Sequence, residues 1–439
     1  MSPLLLTCLA FFIVQLDTTI LYVAFPSIQA SFPGSAPEHL GWVINAYTIL
    51  FGSFLIPAGA YSDQFGRKRF FTIGVFIFTL ASLLCGLSGT IEQLIAARAF
   101  QAIGAAMLIP SSLALVLSSI EQSKRSVAVS IWSAVGGLAA AVGPSLGAFL
   151  ITTFGWRAAF FINVPIGVLI IIGTLKYLKE SLNPQPITPS LLASGLLAIT
   201  LIALSMCFSE SGVSQHVLIW IAVTFVLATT FILLNKKIKN PALDFSLFSH
   251  RTIRFSNIGT FTFAIGFSAM FLGFVIYLTK GWSYDTLHAG LAMTPGPLLV
   301  IPTAILAGKY ASRKGHKLVI LLGGTFFITG LSLRMLWPAD SVNFLMGWLP
   351  AMAITGIGTG LIMPSLSAAA TFHLPRERYA MGSGLNNTLR QCGSVIGVAT
   401  LILLTQGTAK NLNLVFSFSI ICVLIATISA LWIDTRPLK

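Results

Sequence analysis

Charge is what this sequence most lacks: 9 % of its 439 residues are Asp, Glu, Lys or Arg, against roughly 25 % in soluble globular proteins. Carboxylates are scarcer still, 12 against 26 basic residues. The five cysteines (Cys8, Cys85, Cys207, Cys392, Cys422) lie in apolar runs without paired spacing, which argues against disulfides and a cysteine metal site. The six histidines, scattered in or beside loops, show no ligand spacing either. No apolar run pairs a nucleophile or metal-ligand set with a base, so an intramembrane enzyme is disfavoured. There is no nucleotide-binding motif, and no polar segment could hold a separate folded domain. Work done by this chain is therefore expected to draw on an ion gradient. The N-terminus has no basic leader and no small-residue cleavage site, so its first apolar run is read as a retained membrane helix.

What is present is apolar surface. Hydrophobic residues make up 56 % of the chain and mean hydropathy is +0.89, with apolar runs of about 20 residues recurring throughout. Fourteen can be marked, from 4–28 to 411–433, including 158–178, 189–209, 216–235 and 286–309. The fold class expected is an all-α polytopic membrane protein of fourteen transmembrane helices. Placing both termini in the cytoplasm puts 20 of the 26 basic residues on cytoplasmic segments, at 67–69, 124–125, 176–179, 236–239, 251–254, 309–317, 376–378 and 436–439. Arg98, Arg157, Lys280, Arg334, Arg390 and Lys410 are the remainder. This bias is the one that topology imposes. The net charge of +14 thus reads as topogenic, and nucleic acid is not implied.

The chain also repeats itself. GAYSDQFGRKR (59–69) and GKYASRKGHK (308–317) share Gly, Tyr and Gly at the same spacing, at an offset of 249. GAAMLIPSSLAL (104–115) and GTGLIMPSLSAA (358–369) share Gly and a Pro-Ser pair at an offset of 254. The organisation expected is a six-helix bundle over 1–180, an inserted two-helix hairpin over 181–240, and a second six-helix bundle over 241–439. Parallel repeats of this kind place a substrate site near the midplane.

These stretches resemble the major facilitator superfamily, and within it the fourteen-helix drug:proton antiporters, over nearly the whole chain. GAYSDQFGRKR is similar to the superfamily's loop signature at Gly59, Asp63, Gly66, Arg67 and Lys68. LDTTILYVAFP (16–26) resembles the antiporters' first-helix motif at Asp17, Thr19, Ala24 and Pro26, with Tyr22 where Asn is usual. RAFQAIGAA (98–106) keeps Arg98, Gln101, Gly104 and Ala106 of the fourth-helix motif, with Ala102 for a Gly. AAAVGPSLGA (139–148) keeps Gly143, Pro144 and Gly147 of the fifth, with Ala139 and Ala148 replacing its outer glycines. GWRAAFFINVPIG (155–167) is similar to the start of the sixth helix. The resemblance implies a proton-driven antiporter of the bacterial cytoplasmic membrane, exporting drug-like small molecules by alternating access. Its partners would be substrate, protons and the lipid bilayer. No cofactor and no metal are expected, and the monomer is the expected unit. An exporter of one endogenous metabolite or siderophore shares every one of these features. A non-transporting scaffold or sensor would need neither the repeat nor a buried acid.

Asp17 is the one acid that can be placed deep in a span, where a charge costs on the order of 3 kcal/mol. Either it pairs with an Arg to hold helices together, or it binds the coupling proton. Arg98 should face inward, and Asp17 is the only deep carboxylate available to it; the resemblance gives Arg98 a part in proton transfer. Asn387, Arg390, Gln391 and Ser394 share one helical face and either line the cavity or join helices. Arg390 argues against assuming cationic substrates. Gln15, Tyr22, Asn45, Tyr47, Gln101 and Tyr277 are the other cavity candidates. By resemblance, Asp63, Gly66, Arg67 and Lys68 form a charged latch favouring the outward-facing state, asymmetric because Ser312 stands at the repeat position of Asp63. Gly143, Pro144 and Gly147 are read as packing and bending elements that set the conformational equilibrium.

Overall fold

The computed structural model describes residues 2–35, 37–120, 125–181, 190–207, 215–238, 241, 245–337, 342–374, 379–405 and 411–435. Lys124, Lys239, Arg376, Arg378, Lys410, Arg436 and Lys439 lie outside them. Regular structure among the described residues is helical throughout. An apolar environment demands this, because a helix satisfies its own backbone N–H and C=O groups.

Two compact units result, Met1–Leu243 and Asp244–Lys439. The first contains α1 (Pro3–Ser31), α2 (Pro37–Phe65), α3 (Arg67–Leu87), α4 (Ile91–Ser119), α5 (Arg125–Phe154), α6 (Ala158–Phe161), α7 (Asn163–Tyr177), α8 (Leu191–Met206) and α9 (Gln215–Lys237). The second contains α10 (Arg251–Ile276), α11 (Thr286–Met293), α12 (Pro295–Lys314), α13 (Lys317–Leu336), α14 (Leu349–Ala369), α15 (Tyr379–Thr405) and α16 (Leu412–Ser429). Burial ranks the helices. In α9 only 11 % of the apolar window is buried, and Phe225 and Val226 stand 72 % and 61 % exposed, as lipid-facing side chains would. In α10 the corresponding figure is 83 %, which puts that helix at the centre of the second unit.

The count of spans departs from the fourteen expected. Twelve helices among the described residues are long and apolar enough to cross a membrane. A bent pair, His39–Leu55 with Pro57–Phe65, makes thirteen if taken as one span; it turns by 52° at Pro57, whose ring removes a backbone donor and crowds the preceding turn. The run expected at 189–209 yields only the apolar stretch Leu191–Leu204, shorter than the roughly 20 residues that cross a bilayer. The runs expected at 158–178 and 286–309 are each one of the twelve spans, Ala158–Tyr177 and Thr286–Lys314, with local breaks at Ile162 and at Thr294 ahead of Pro295.

The two sequence repeats carry the same packing in both units. A Cβ on Gly104 of α4 would stand 2.5 Å from the Phe78 nitrogen and 2.9 Å from the Gly74 carbonyl of α3. A Cβ on Gly358 of α14 would stand 2.5 Å from the Phe327 nitrogen and 2.7 Å from the Gly323 carbonyl of α13. Such closeness is how membrane helices associate, since lipid leaves no hydrophobic drive between them. Gly66 and Gly315, also 249 apart, take left-handed φ of 106° and 83°, each donating its N–H four residues back, to Ser62 and Ala311. Because backbone cannot yield to an added side chain, Gly104→Val is expected to lower stability by about 3 kcal/mol or more. Gly308→Val, where a Cβ meets nothing within 4 Å, is the control. Thermal unfolding of both variants in detergent checks this, and equal midpoints would refute it.

Candidate functional site

Helix α1 delivers Asp17 into the first unit with its side chain 1 % exposed. Two glycines of α5 fix that helix's position: a Cβ on Gly143 would collide with Thr19, and one on Gly147 would stand 3.0 Å from Ile20. Thr19 and Ile20 lie within one turn of the carboxylate, so α5 sets where it sits. Pro144 lies inside α5, which remains helical through it.

Four other side chains close around Asp17. Arg98 of α4, also 1 % exposed, places Nη1 at 2.6 Å from Asp17 Oδ2. The same nitrogen lies 2.6 Å from Gln101 Oε1, one turn along α4. Gln101 Nε2 donates to Asp17 Oδ1 at 3.0 Å and to Ser82 Oγ of α3 at 3.3 Å. Asn163 Nδ2, at the start of α7, donates to Asp17 Oδ1 at 3.2 Å and to Ser82 Oγ at 3.0 Å. Ser82 in turn donates to the Phe160 carbonyl at 2.9 Å. Arg98 is further held by the Val43 carbonyl, 3.3 Å from Nε, and its guanidinium lies 4.1 Å from the Tyr47 ring centroid. Asp17 thus sits in a network drawing on six helices. Asn163 Oδ1, also buried, has no hydrogen-bond partner among the described residues.

Sequence reading missed Ser82 and Asn163. The signal available was slight: Asn163 is the one amide in an otherwise apolar FFINVPIG, and Ser82 is one of three hydroxyl residues, with Thr72 and Thr79, in an apolar helix. Two of the cavity candidates, Tyr47 and Gln101, lie in this network. Tyr47 and Gln101 are 3 % and 0 % exposed, because a buried guanidinium and carboxylate need a ring face and an amide to complete their surroundings. Asn45 is 4 % exposed. Tyr277 is likewise buried, packed beneath the Arg334 guanidinium at 3.7 Å and stacked on Trp348 at 5.9 Å. The remaining candidates, Gln15, Tyr22, Asn387, Arg390 and Gln391, are half-buried.

At one end of the first unit, Arg67 Nε meets Asp63 Oδ1 at 2.7 Å. A second acid, unforeseen, completes this loop. Glu180 accepts from the backbone N–H groups of Lys68 and Arg69 at 2.9 and 3.1 Å, capping the first turn of α3 where Gly66 offers no side chain. Lys68 Nζ donates to the Leu175 carbonyl at 3.2 Å. The second unit repeats the arrangement without a carboxylate: Thr435 Oγ1 accepts from the His316 N–H at 2.7 Å at the start of α13, Lys317 Nζ donates to the Leu431 carbonyl at 2.9 Å, and Ser312 Oγ, among the described residues, donates to the Lys309 carbonyl. Glu180→Ala is expected to cost about 1 kcal/mol as a lost cap, and Glu180→Gln less. Thermal unfolding in detergent measures both; an Ala variant as stable as wild type would show that the cap contributes nothing.

Nothing in this geometry is built for bond chemistry. An ion pair inside a bundle of apolar helices is the arrangement of a multi-pass membrane transporter. The model of the Major Facilitator Superfamily matches residues 7–398, and the chain belongs to that superfamily, as a transporter and not an enzyme. It is 32 % identical over 91 % of its length to multidrug resistance protein Stp of Mycobacterium tuberculosis (strain CDC 1551 / Oshkosh), covering 74 % of that protein. It is 29 % identical over 90 % of its length to riboflavin transporter RibZ of Clostridioides difficile (strain 630), covering 86 % of it. The solved D-xylose-proton symporter shares the fold, with a TM-score of 0.70 at 14 % identity, over 99 % of this chain and 98 % of that one.

Proposed function

We propose that this protein is a proton-coupled antiporter that exports amphipathic small molecules across the bacterial cytoplasmic membrane by alternating access. Asp17 binds the coupling proton and Arg98 modulates its release. The observation that carries this reading is a lone deep carboxylate held against an arginine with no solvent exposure. A structural pair could sit anywhere, whereas a coupling site must lie at depth and exchange its partner for a proton. Gln101 and Asn163 can follow such an exchange, because an amide can present either its NH2 or its oxygen to the acid. In this reading the bent α2 and the short α8 complete fourteen spans, both termini are cytoplasmic, the working unit is a monomer, and the proton gradient is the only energy source. The Asp63–Arg67–Glu180 loop then serves as the conformational latch.

Export of a single endogenous metabolite is the second reading, favoured by the likeness to a riboflavin transporter at nearly the same identity as to a multidrug resistance protein. Proteoliposomes with an imposed pH gradient test coupling directly. Uptake of substrate into the acidic lumen should collapse on adding a protonophore. Uptake indifferent to the protonophore would overturn proton coupling under either reading, and a panel of drugs set against riboflavin separates the two.

A further inference from the structure

The two units hold their deep charges differently. In the first, Asp17 and Arg98 neutralise each other at 2.6 Å. In the second, the carboxylates after Asp244 are Asp285, Asp340, Glu377 and Asp434, and none falls within α10 to α16. Yet α15 carries Arg390 near the middle of its 27 residues. That arginine is half-buried, and its one hydrogen bond among the described residues runs from Nη2 to Asn387 Oδ1 at 2.7 Å. Asn387 is itself anchored, donating to the Ser383 carbonyl at 3.0 Å. A guanidinium has five N–H donors, so four find no protein acceptor among the described residues. Gln391, the next residue, makes no hydrogen bond among the described residues either. Ser394, on the same face, is by contrast taken up in packing, bonded to Ser268 of α10 at 2.9 Å.

An uncompensated cation at this depth is expensive. Arg334, the second unit's other buried cation, is 2 % exposed and covered by Tyr277 and the Trp337 carbonyl; it adds positive field but offers no docking face. Arg390, by contrast, is half-buried with its fork oriented by a neighbour.

We infer that the transported compound presents an oxyanion, of the carboxylate class, to Arg390, with Asn387 aiming the fork and Gln391 supplying an adjacent amide. This rests on the transporter reading but not on proton coupling. A fork–carboxylate pair can be bidentate, and the substrate's charge supplies the compensation that the second unit lacks. Electrical consequences follow from the sign. One proton entering against one monovalent anion leaving moves two charges in the same electrical direction, so export accelerates when the side that substrate leaves is negative. One proton against one monovalent cation moves none.

The test uses two dyes with one ring system, anionic fluorescein and cationic rhodamine 6G, with wild type, Arg390→Lys and Arg390→Gln. Binding is read by fluorescence polarisation in detergent, and uptake in proteoliposomes with and without a potassium diffusion potential. Fluorescein should bind about tenfold or more tightly than rhodamine 6G, on the scale of one charge-assisted hydrogen bond. Arg390→Gln should erase that margin and Arg390→Lys keep part of it, and the potential should speed fluorescein uptake alone. Preference for rhodamine 6G, or an equal loss of both dyes in Arg390→Gln, would overturn the inference. Fluorescein uptake that needs Arg390 but ignores the pH gradient would uphold it while refuting proton coupling.

Discussion

Asp17→Asn is expected to abolish pH-gradient-driven uptake in proteoliposomes, a fall of at least about 100-fold, the scale on which removal of a required proton-transfer group acts. Volume is conserved and the side chain stays in place, so the loss isolates the titratable function. Substrate binding and substrate–substrate exchange, which need no net proton movement, should survive within a fewfold. The substitution also inverts part of the hydrogen bonding. Gln101 Nε2 and Asn163 Nδ2 both donate to Asp17 Oδ1, and an amide NH2 placed there would face two donors. If Asn turns its oxygen toward them instead, its NH2 faces Arg98 Nη1, now 2.6 Å from the wrong kind of group. Some loss of stability is therefore expected along with the loss of coupling. Gradient-driven uptake at full rate in this variant would refute Asp17 as the coupling site, whatever happened to stability.

The network also shows what a sequence exposes and what it conceals. Asp17 and Arg98 are legible because burying charge in an apolar helix is so costly that chance does not place it there. Gly104 and Gly358 are legible because close helix packing in lipid selects residues without side chains, and the repeat doubles the signal; their partners Gly74 and Gly323 emerge only from the packing. Ser82 and Asn163 are not, since small polar residues are common in membrane helices and reveal nothing until folding gathers them. Glu180 lies 112 residues from the N–H group it caps, a pairing that no local pattern predicts. Tyr47 conceals its place for the opposite reason. A tyrosine in a span suggests a ligand surface, yet its ring face is what the arginine needs. The number of spans blurred where proline bends α2 and where α8 ends early.

Arg98→Met should cost about 3–5 kcal/mol of stability, the penalty for leaving a buried carboxylate beside no cation. Asp17→Asn leaves the guanidinium similarly exposed to an apolar interior, with Tyr47, Val43 and Gln101 as its remaining partners. Combining them removes both charges at once. Buried ion pairs replaced by neutral residues of similar size are often near-neutral for stability, because desolvation offsets most of the attraction. The double variant should therefore be more stable than either single variant, so the coupling energy in the cycle should exceed the larger of the two single losses. Transport should not recover, since no proton site remains. Stability and function thus separate in one set of four proteins, measured by thermal unfolding in detergent and by gradient-driven uptake. If the two single losses simply add, Asp17 and Arg98 do not interact in the working protein. Recovery of uptake together with stability would mean that the pair holds helices together and that the coupling proton binds elsewhere.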